Sequence, residues 1–319
     1  MNTSDPKTLV IALGGNALSS PTGDGSFEEQ QEAIRKSSEQ IIKIIQLGWK
    51  VVVTHGNGPQ IGRLLIQQES AKEITPALPL HLCGAMSQGQ IGYMLQLGLE
   101  EKIRAANLKA DIVAILTRVL VDENDPAFDN PTKPIGPFYS QEEALDLKES
   151  KSYEMKNVGF GERPFRRVVA SPKPLKILEV NTIEILIKSG NIVIACGGGG
   201  IPVINHNGIL KGIGAVIDKD LSSQKLANEI SADSLMILTD VNRVSINFDS
   251  REQKDLQSIS LLEVKQHFAD GQFPDGSMGP KVLSAINFLE NGGQRVIITS
   301  LDKAAESLSG SAGTQIFND

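Results

Sequence analysis

Cysteine, histidine and tryptophan are scarce in this sequence, and the scarcity narrows its chemistry. The two cysteines, Cys83 and Cys196, lack CxxC spacing and sit in apolar segments. They read as buried free thiols, and no metal site follows from them. The four histidines, His55, His81, His206 and His267, form neither HxxxH nor HExxH. His55 alone stands by a glycine loop, where it is either a ligand or a structural hydrogen-bonding residue. No GxSxG elbow is present to mark a serine nucleophile. Aromatic residues make up 4% of the chain, and the single tryptophan, Trp49, reads as a packing residue at a helix-to-strand junction.

Two nucleotide signatures are missing as well. There is no GxxxxGK[ST], which excludes a P-loop enzyme. Gly56-Asn57-Gly58-Pro59-Gln60-Ile61-Gly62 has one residue too many for GxGxxG, and Pro59 does not suit a dinucleotide turn. No apolar run approaches the ~18 residues of a membrane span, and the first residues do not have the layout of a signal peptide. A cytoplasmic protein with no membrane partner is expected. The net charge of −7 makes nucleic acid a poor partner. It leaves room for a local basic pocket that takes a small phosphate.

What is present is alternation. The 319 residues suggest about two domains, or one large domain with an insertion. Leu9–Leu13, Val51–Val53, Ile112–Leu116, Ile192–Cys196, Leu235–Leu238 and Val296–Ile298 are short apolar runs that read as buried strands, with GTQIF as a closing strand. Helical spacing occupies Ile34–Ile45, Gln88–Asn107, Ile177–Lys188, Asp220–Ile230, Leu261–Phe268 and Val282–Leu289. This predicts an α/β fold: a mainly parallel central sheet with helices on both faces. From about 122 to 174 the pattern stops. That stretch, rich in Pro, Asn, Asp, Glu, Lys and Arg, predicts an inserted lid subdomain.

In open parallel sheets, ligands bind beyond the carboxyl ends of the strands. Three glycine segments fall there: Gly14-Gly15-Asn16, Gly56-Asn57-Gly58 and Gly197–Gly200. Each permits a tight turn and a close backbone approach to an anion. Three lysines lie off the polar helix faces. Lys133 is framed by prolines in NPTKPIGPF, Lys219 lies between aspartates in AVIDKD, and Lys281 ends GSMGPK. All three are expected in constrained connections. Lysine is a compact point charge, suited to the oxygen charge that develops in phosphoryl transfer.

At these residues the sequence resembles the carbamate kinases of the amino-acid kinase fold family. The matching segments are VIALGGNAL (10–18), HGNGPQIG (55–62), PLHLCGAMSQGQIGYML (79–95), NPTKPIGPF (130–138), CGGGGIPV (196–203), AVIDKDL (215–221), LTDV (238–241), GSMGPK (276–281) and IITS (297–300). They keep the family order and span nearly the whole chain. NPTKPIGPF resembles the lid that sets carbamate kinases apart within the fold.

The resemblance implies the reaction ATP + carbamate ⇌ ADP + carbamoyl phosphate. Mg²⁺ would be held mainly by phosphate oxygens and water, with no metal ligand from the protein. It often runs toward ATP, in arginine or purine breakdown. One domain over 1–319 would comprise an acceptor-side lobe (about 1–190), the lid, and a nucleotide-side lobe (about 191–319), in a homodimer. Gly14, Gly15, Asn16, Gly56, Asn57 and Gly58 would surround the carbamate and the transferred phosphoryl. Lys133 would reach in from the lid, Lys219 and Lys281 would stabilise the phosphoryl, and Asp220 would orient the lysines. Gly197, Gly198 and Gly199 would lie near the phosphates, and Thr239, Asp240, Ser277 and Met278 by the nucleotide. The alternatives are a kinase of the same fold with another small acceptor, or a non-catalytic nucleotide-binding regulator. One stretch, NVGFGERPFRRVVASPKP (157–174), departs from the family's pattern but keeps Arg166-Arg167. It bears on lid closure and acceptor preference.

Overall fold

The run LVIAL becomes the strand Thr8–Leu13, with Leu9 to Leu13 fully buried. Its side chains alternate between two cores, Val10 and Ala12 on one face, Leu9, Ile11 and Leu13 on the other. Burial on both faces is why the run is continuous instead of alternating. The structure, a computed structural model, describes residues 6–19, 25–274 and 276–318, and leaves the Asn16 side chain outside that description.

Among the described residues, eight strands form the central sheet. Their order is Ser258–Ser260, Thr314–Phe317, Arg295–Ser300, Ser234–Thr239, Thr8–Leu13, Lys50–His55, Ile192–Ile194 and Ile112–Ala114. Neighbours run parallel except Arg295–Ser300 with Thr314–Phe317, which are antiparallel. The strands from Arg295–Ser300 to Ile112–Ala114 therefore end on one edge.

Among the described residues, the helices of nine or more residues are, in chain order, α1 (Phe27–Gln46), α2 (Gln60–Ala71), α3 (Leu80–Ala105), α4 (Gln141–Lys151), α5 (Val180–Lys188), α6 (Lys219–Glu229), α7 (Leu261–Ala269) and α8 (Met278–Glu290). Helices α1 and α3 cover one face through Ile34, Ile41, Ile91, Leu95 and Leu99. Helices α5, α6 and α8 cover the other through Ile183, Leu226, Val282 and Phe288. A fully buried Ile or Leu contributes about 1.5–3 kcal/mol, so these faces fix the helices more firmly than propensity does.

The expected insertion holds a three-stranded antiparallel sheet. Its order is Lys133–Tyr139, Phe165–Val169 and Met155–Asn157, with α4 between the first and last in sequence. Helix α4 has one buried residue, Ala144, so it carries no apolar stripe for a sequence to reveal. A capping box between Ser140 and Glu143 starts it. Ile135 and Val169 of this subdomain pack on Ile61 and Leu64 of α2, Leu80 and Cys83 of α3, and Val216. An ion pair from Lys151 to Glu69 ties α4 to α2.

Some boundaries differ from the sequence reading. Helix α3 begins at Leu80, ahead of Gln88, because the exposed Leu82 and Met86 blur its apolar stripe. Lys176–Ile177 forms a short strand before α5 starts at Val180. Helix α2 was not expected at all; its buried residues are confined to its first turns.

Candidate active site

The lysines do not sit in connections. Lys219 opens α6, Lys281 lies in the first turn of α8, and Lys133 opens its strand. An element start gives a side chain a fixed origin, which an irregular loop does not.

Asp218 caps α6. Its Oδ1 accepts from the Asp220 amide at 2.9 Å and the Leu221 amide at 3.4 Å. Its Oδ2 accepts from Lys133 Nζ at 2.7 Å, across 85 residues of sequence. Burial works to raise the Asp218 carboxyl. The Lys133 charge and hydrogen bond, the Lys219 charge and the Asp220 amide outweigh that and hold it down at about 2. Asp220, 2% exposed, joins the other two lysines: Oδ1 accepts from Lys219 at 2.5 Å, Oδ2 from Lys281 at 3.2 Å. Lys281 also donates to the Ser277 carbonyl at 3.2 Å. Three ammoniums thus meet two carboxylates in one chain of contacts.

These five side chains line a cleft of about 230 Å³ beyond the strand ends, together with Gly15, Gly56, Asn57, Gly58, Gly198 and Ser277. A second cleft of about 210 Å³ adjoins it through Asn57, Gly58, Lys133 and Val216, and reaches Arg166 under the lid. Arg166 donates to the Gly136 carbonyl and stacks on Phe138, while Arg167 stacks on Tyr153. The double arginine of the divergent stretch therefore braces the lid.

Gly14, Thr239, Asp240 and Met278 lie around the cleft and not on its wall. Gly14 closes against the Leu238 carbonyl, beside Thr239 and Asp240 at the end of the next strand. Met278 is half-buried against the core. Asn16 belongs to the short turn Gly15–Ala17; its side chain is outside the described part, as is Asp275 next to the GSMGPK segment. The Gly56 amide donates to the Leu13 carbonyl at 3.3 Å, so that glycine joins two strand ends.

Gly197–Gly199 is a buried short helical turn. Gly198 and Gly199 have φ of +64° and +86°, and a Cβ on Gly199 would lie 2.2 Å from the Ile217 carbonyl oxygen. The segment needs glycine because it passes so close to the chain leading into α6.

Gln88 escaped the sequence reading. Its Nε2 donates to the Gly197 and Thr117 carbonyls at 3.0 and 3.1 Å, and its Oε1 accepts from the Thr117 amide at 2.8 Å. A polar residue in register with Ile91, Leu95 and Leu99 was the available signal. Asp218 was missed too, although it stands where a helix cap is expected. Asn57 is buried and donates to Ser87 Oγ at 3.0 Å. His55 is buried, its Nδ1 2.6 Å from the Gly56 carbonyl. Burial lowers its pKa to about 4, despite that contact, so the ring is neutral at pH 7. It is a structural residue behind the glycine loop.

The pattern of the amino acid kinase family matches residues 7–300. The chain belongs to this family, on its carbamate kinase branch. It is 48% identical to the carbamate kinase of Pyrococcus horikoshii over 98% of this chain and 99% of that one. It is 49% identical to carbamate kinase 2 of Staphylococcus aureus over 97% and 98% of the two chains. Among solved structures, the carbamate kinase from Giardia lamblia bound to AMP-PNP is 43% identical, with a TM-score of 0.93, covering 98% of this chain and 99% of that one. The expected fold class is therefore the observed one. Among the described residues, no helix is long and apolar enough to cross a membrane.

Proposed function

We propose that this chain transfers a phosphoryl group reversibly between ATP and carbamate, giving ADP and carbamoyl phosphate. The observation that carries the reading is the convergence of Lys133, Lys219 and Lys281 on one cleft at the sheet edge, braced by Asp218 and Asp220. Transfer of a phosphoryl group spreads negative charge over its oxygens, and little covalent chemistry is left for the protein. Fixed ammoniums offset that charge without reorganising at the moment of reaction. In this reading Lys133 approaches from the lid, and Lys219 and Lys281 from the nucleotide side. Asp220 keeps those two from repelling each other. Gly15, Asn57 and Gly58 shape the acceptor end, and Thr239, Asp240 and Ser277 the nucleotide end. The lobes about 1–190 and 191–319 would supply these two ends, with the lid over 122–174.

The bound AMP-PNP of the Giardia relative supports a nucleotide here. Both site carboxylates face ammoniums instead of an open cation position. That donor set fits a Mg²⁺ carried on the nucleotide, with phosphate and water ligands, where it would neutralise phosphate charge. The resemblance to carbamate kinases also supports a cytoplasmic homodimer running toward ATP.

The test is purified protein with carbamoyl phosphate, ADP and Mg²⁺. ATP formation is expected, and its absence across sensible pH would sink the reading. Lys133→Ala and Lys281→Ala should each lower turnover by about 10²-fold or more. A near-normal rate in either variant would remove that lysine from the mechanism.

A further inference from the structure

We infer that Asp218 is a positioning residue for phosphoryl transfer, holding the lid lysine Lys133 aimed into the cleft before substrate arrives. The inference rests on the kinase reading above.

The two carboxylate oxygens of Asp218 have divided tasks. Oδ1 is anchored on the start of α6 by two backbone amides, and Oδ2 takes Lys133 Nζ at 2.7 Å. An anchored carboxylate cannot follow a wandering lysine, so the lysine is the partner that gets placed. The chain leading to Asp218 also runs along the lid: Ala215 bridges Ala170 in parallel, and the Val216 amide donates to the Ala170 carbonyl at 3.0 Å. Val216 packs with Ile135, two residues from Lys133. The ion pair therefore ends a seam of backbone and apolar contacts between the lid and the entrance to α6.

This seam joins the lid lysine to the helix whose first residue is Lys219. The Lys133 ammonium has three donors, and Asp218 uses one of them in the contact described. The rest of the ammonium is available to phosphoryl oxygens in the cleft that both residues line. Lys133 is 33% exposed, and a lysine that loose loses rotamer freedom when it is fixed. Asp218 has it fixed already, so the loss does not fall on the transition state. A competing role is physically distinct: if Asp218 merely occupied Lys133 until phosphate displaced it, removing the carboxylate would tighten substrate binding.

The test is a double-mutant cycle with Asp218→Asn and Lys133→Ala, reading kcat and KM for carbamoyl phosphate with ADP and Mg²⁺. Asparagine keeps an oxygen for the helix cap and deletes the charge. Asp218→Ser, which also caps, serves if the first variant fails to fold, and circular dichroism checks both. We expect Asp218→Asn to lower kcat roughly 10–50-fold with KM for ADP within about twofold. In the Lys133→Ala background the same change should cost nothing further, or restore some activity, because an unpaired carboxylate there repels phosphoryl oxygens. Equal losses in both backgrounds, an unchanged kcat, or a lowered KM for carbamoyl phosphate at full turnover would each overturn the inference. A wild-type protein that makes no ATP would sink the kinase reading, and this inference with it. An active wild type with additive losses would sink the inference alone.

Discussion

Asp220→Asn should damage stability and turnover together, and in a particular direction. Asp220 is 2% exposed and accepts from two ammoniums, Lys219 at 2.5 Å and Lys281 at 3.2 Å. Asparagine keeps the shape but offers one oxygen and one NH₂. The shorter contact should keep the oxygen, which turns the NH₂ toward Lys281. The amide oxygen still accepts from an ammonium, a class of hydrogen bond worth about 1.5–3 kcal/mol, but it brings no countercharge. One contact therefore weakens and the other becomes repulsive, a net cost of about 2–4 kcal/mol. At about 2–4 °C per kcal/mol for a large domain, Tm should fall by roughly 4–16 °C. Released from its place, Lys281 should leave turnover about 10²-fold lower, close to that of Lys281→Ala. With three ammoniums and only one carboxylate then left in the cleft, added salt should recover more Tm in the variant than in the wild type. The assays are a thermal melt at two ionic strengths and ATP formation from carbamoyl phosphate. A Tm within about 1 °C of wild type with turnover within about twofold would refute the argument, since a buried two-lysine contact cannot be neutralised at no cost.

Three further outcomes follow from burial. His55 titrates near 4 when folded and near 6.5 when unfolded, so the unfolded chain takes up the proton first as pH falls. Its contribution is complete above about 6.5 and is lost toward pH 4, at most about 3 kcal/mol, so urea unfolding at pH 7.5 and 5.0 should show a smaller drop in His55→Gln than in wild type. Equal drops would show that His55 does not carry the effect. Gly199→Ala places a Cβ against the Ile217 carbonyl at φ +86°, and should cost about 3 kcal/mol or more or prevent folding; a normal melt would contradict the geometry. Cys83 and Cys196 are buried, and burial pushes the Cys196 thiol up to about 12. Iodoacetamide should label both only after denaturation, and rapid labelling of the folded protein would show that the thiols are accessible.

The sheet was legible because its central strands are buried on both faces. Leu9–Leu13 had to be a continuous apolar run, and a glycine had to follow where the chain turns at the sheet edge. Helices with a long apolar stripe, such as α1, could be read for the same reason. Helix α2 could not. It buries only Gln60, Ile61, Gly62 and Leu64, and Gly62 is glycine so that the lid strand can approach; a Cβ there would lie 3.1 Å from Gly136 Cα. The lid could be marked as an insertion, but its strands are half-buried and carry little alternation to expose their pairing.

The candidate site was legible by residue type and not by contact. Lys219 and Asp220 are adjacent in sequence, yet Lys133 meets Asp218 across 85 residues and Lys281 meets Asp220 across 61. No local spacing encodes such pairs; the parallel sheet brings them together by ending its strands on one edge. The same distance separates bulk charge from local charge. The chain carries −7 overall, while its cleft gathers three ammoniums against two carboxylates. Three like charges would scatter if left alone. Each carboxylate therefore has more than one partner: Asp220 joins two lysines, and Asp218 joins a lysine to a helix start. That arrangement leaves a small excess of positive charge, fixed in place and partly open to the cleft. A neutral or fully paired cluster would have no such excess to offer a phosphoryl group, which is why the carboxylates matter to the chemistry as much as the lysines they hold.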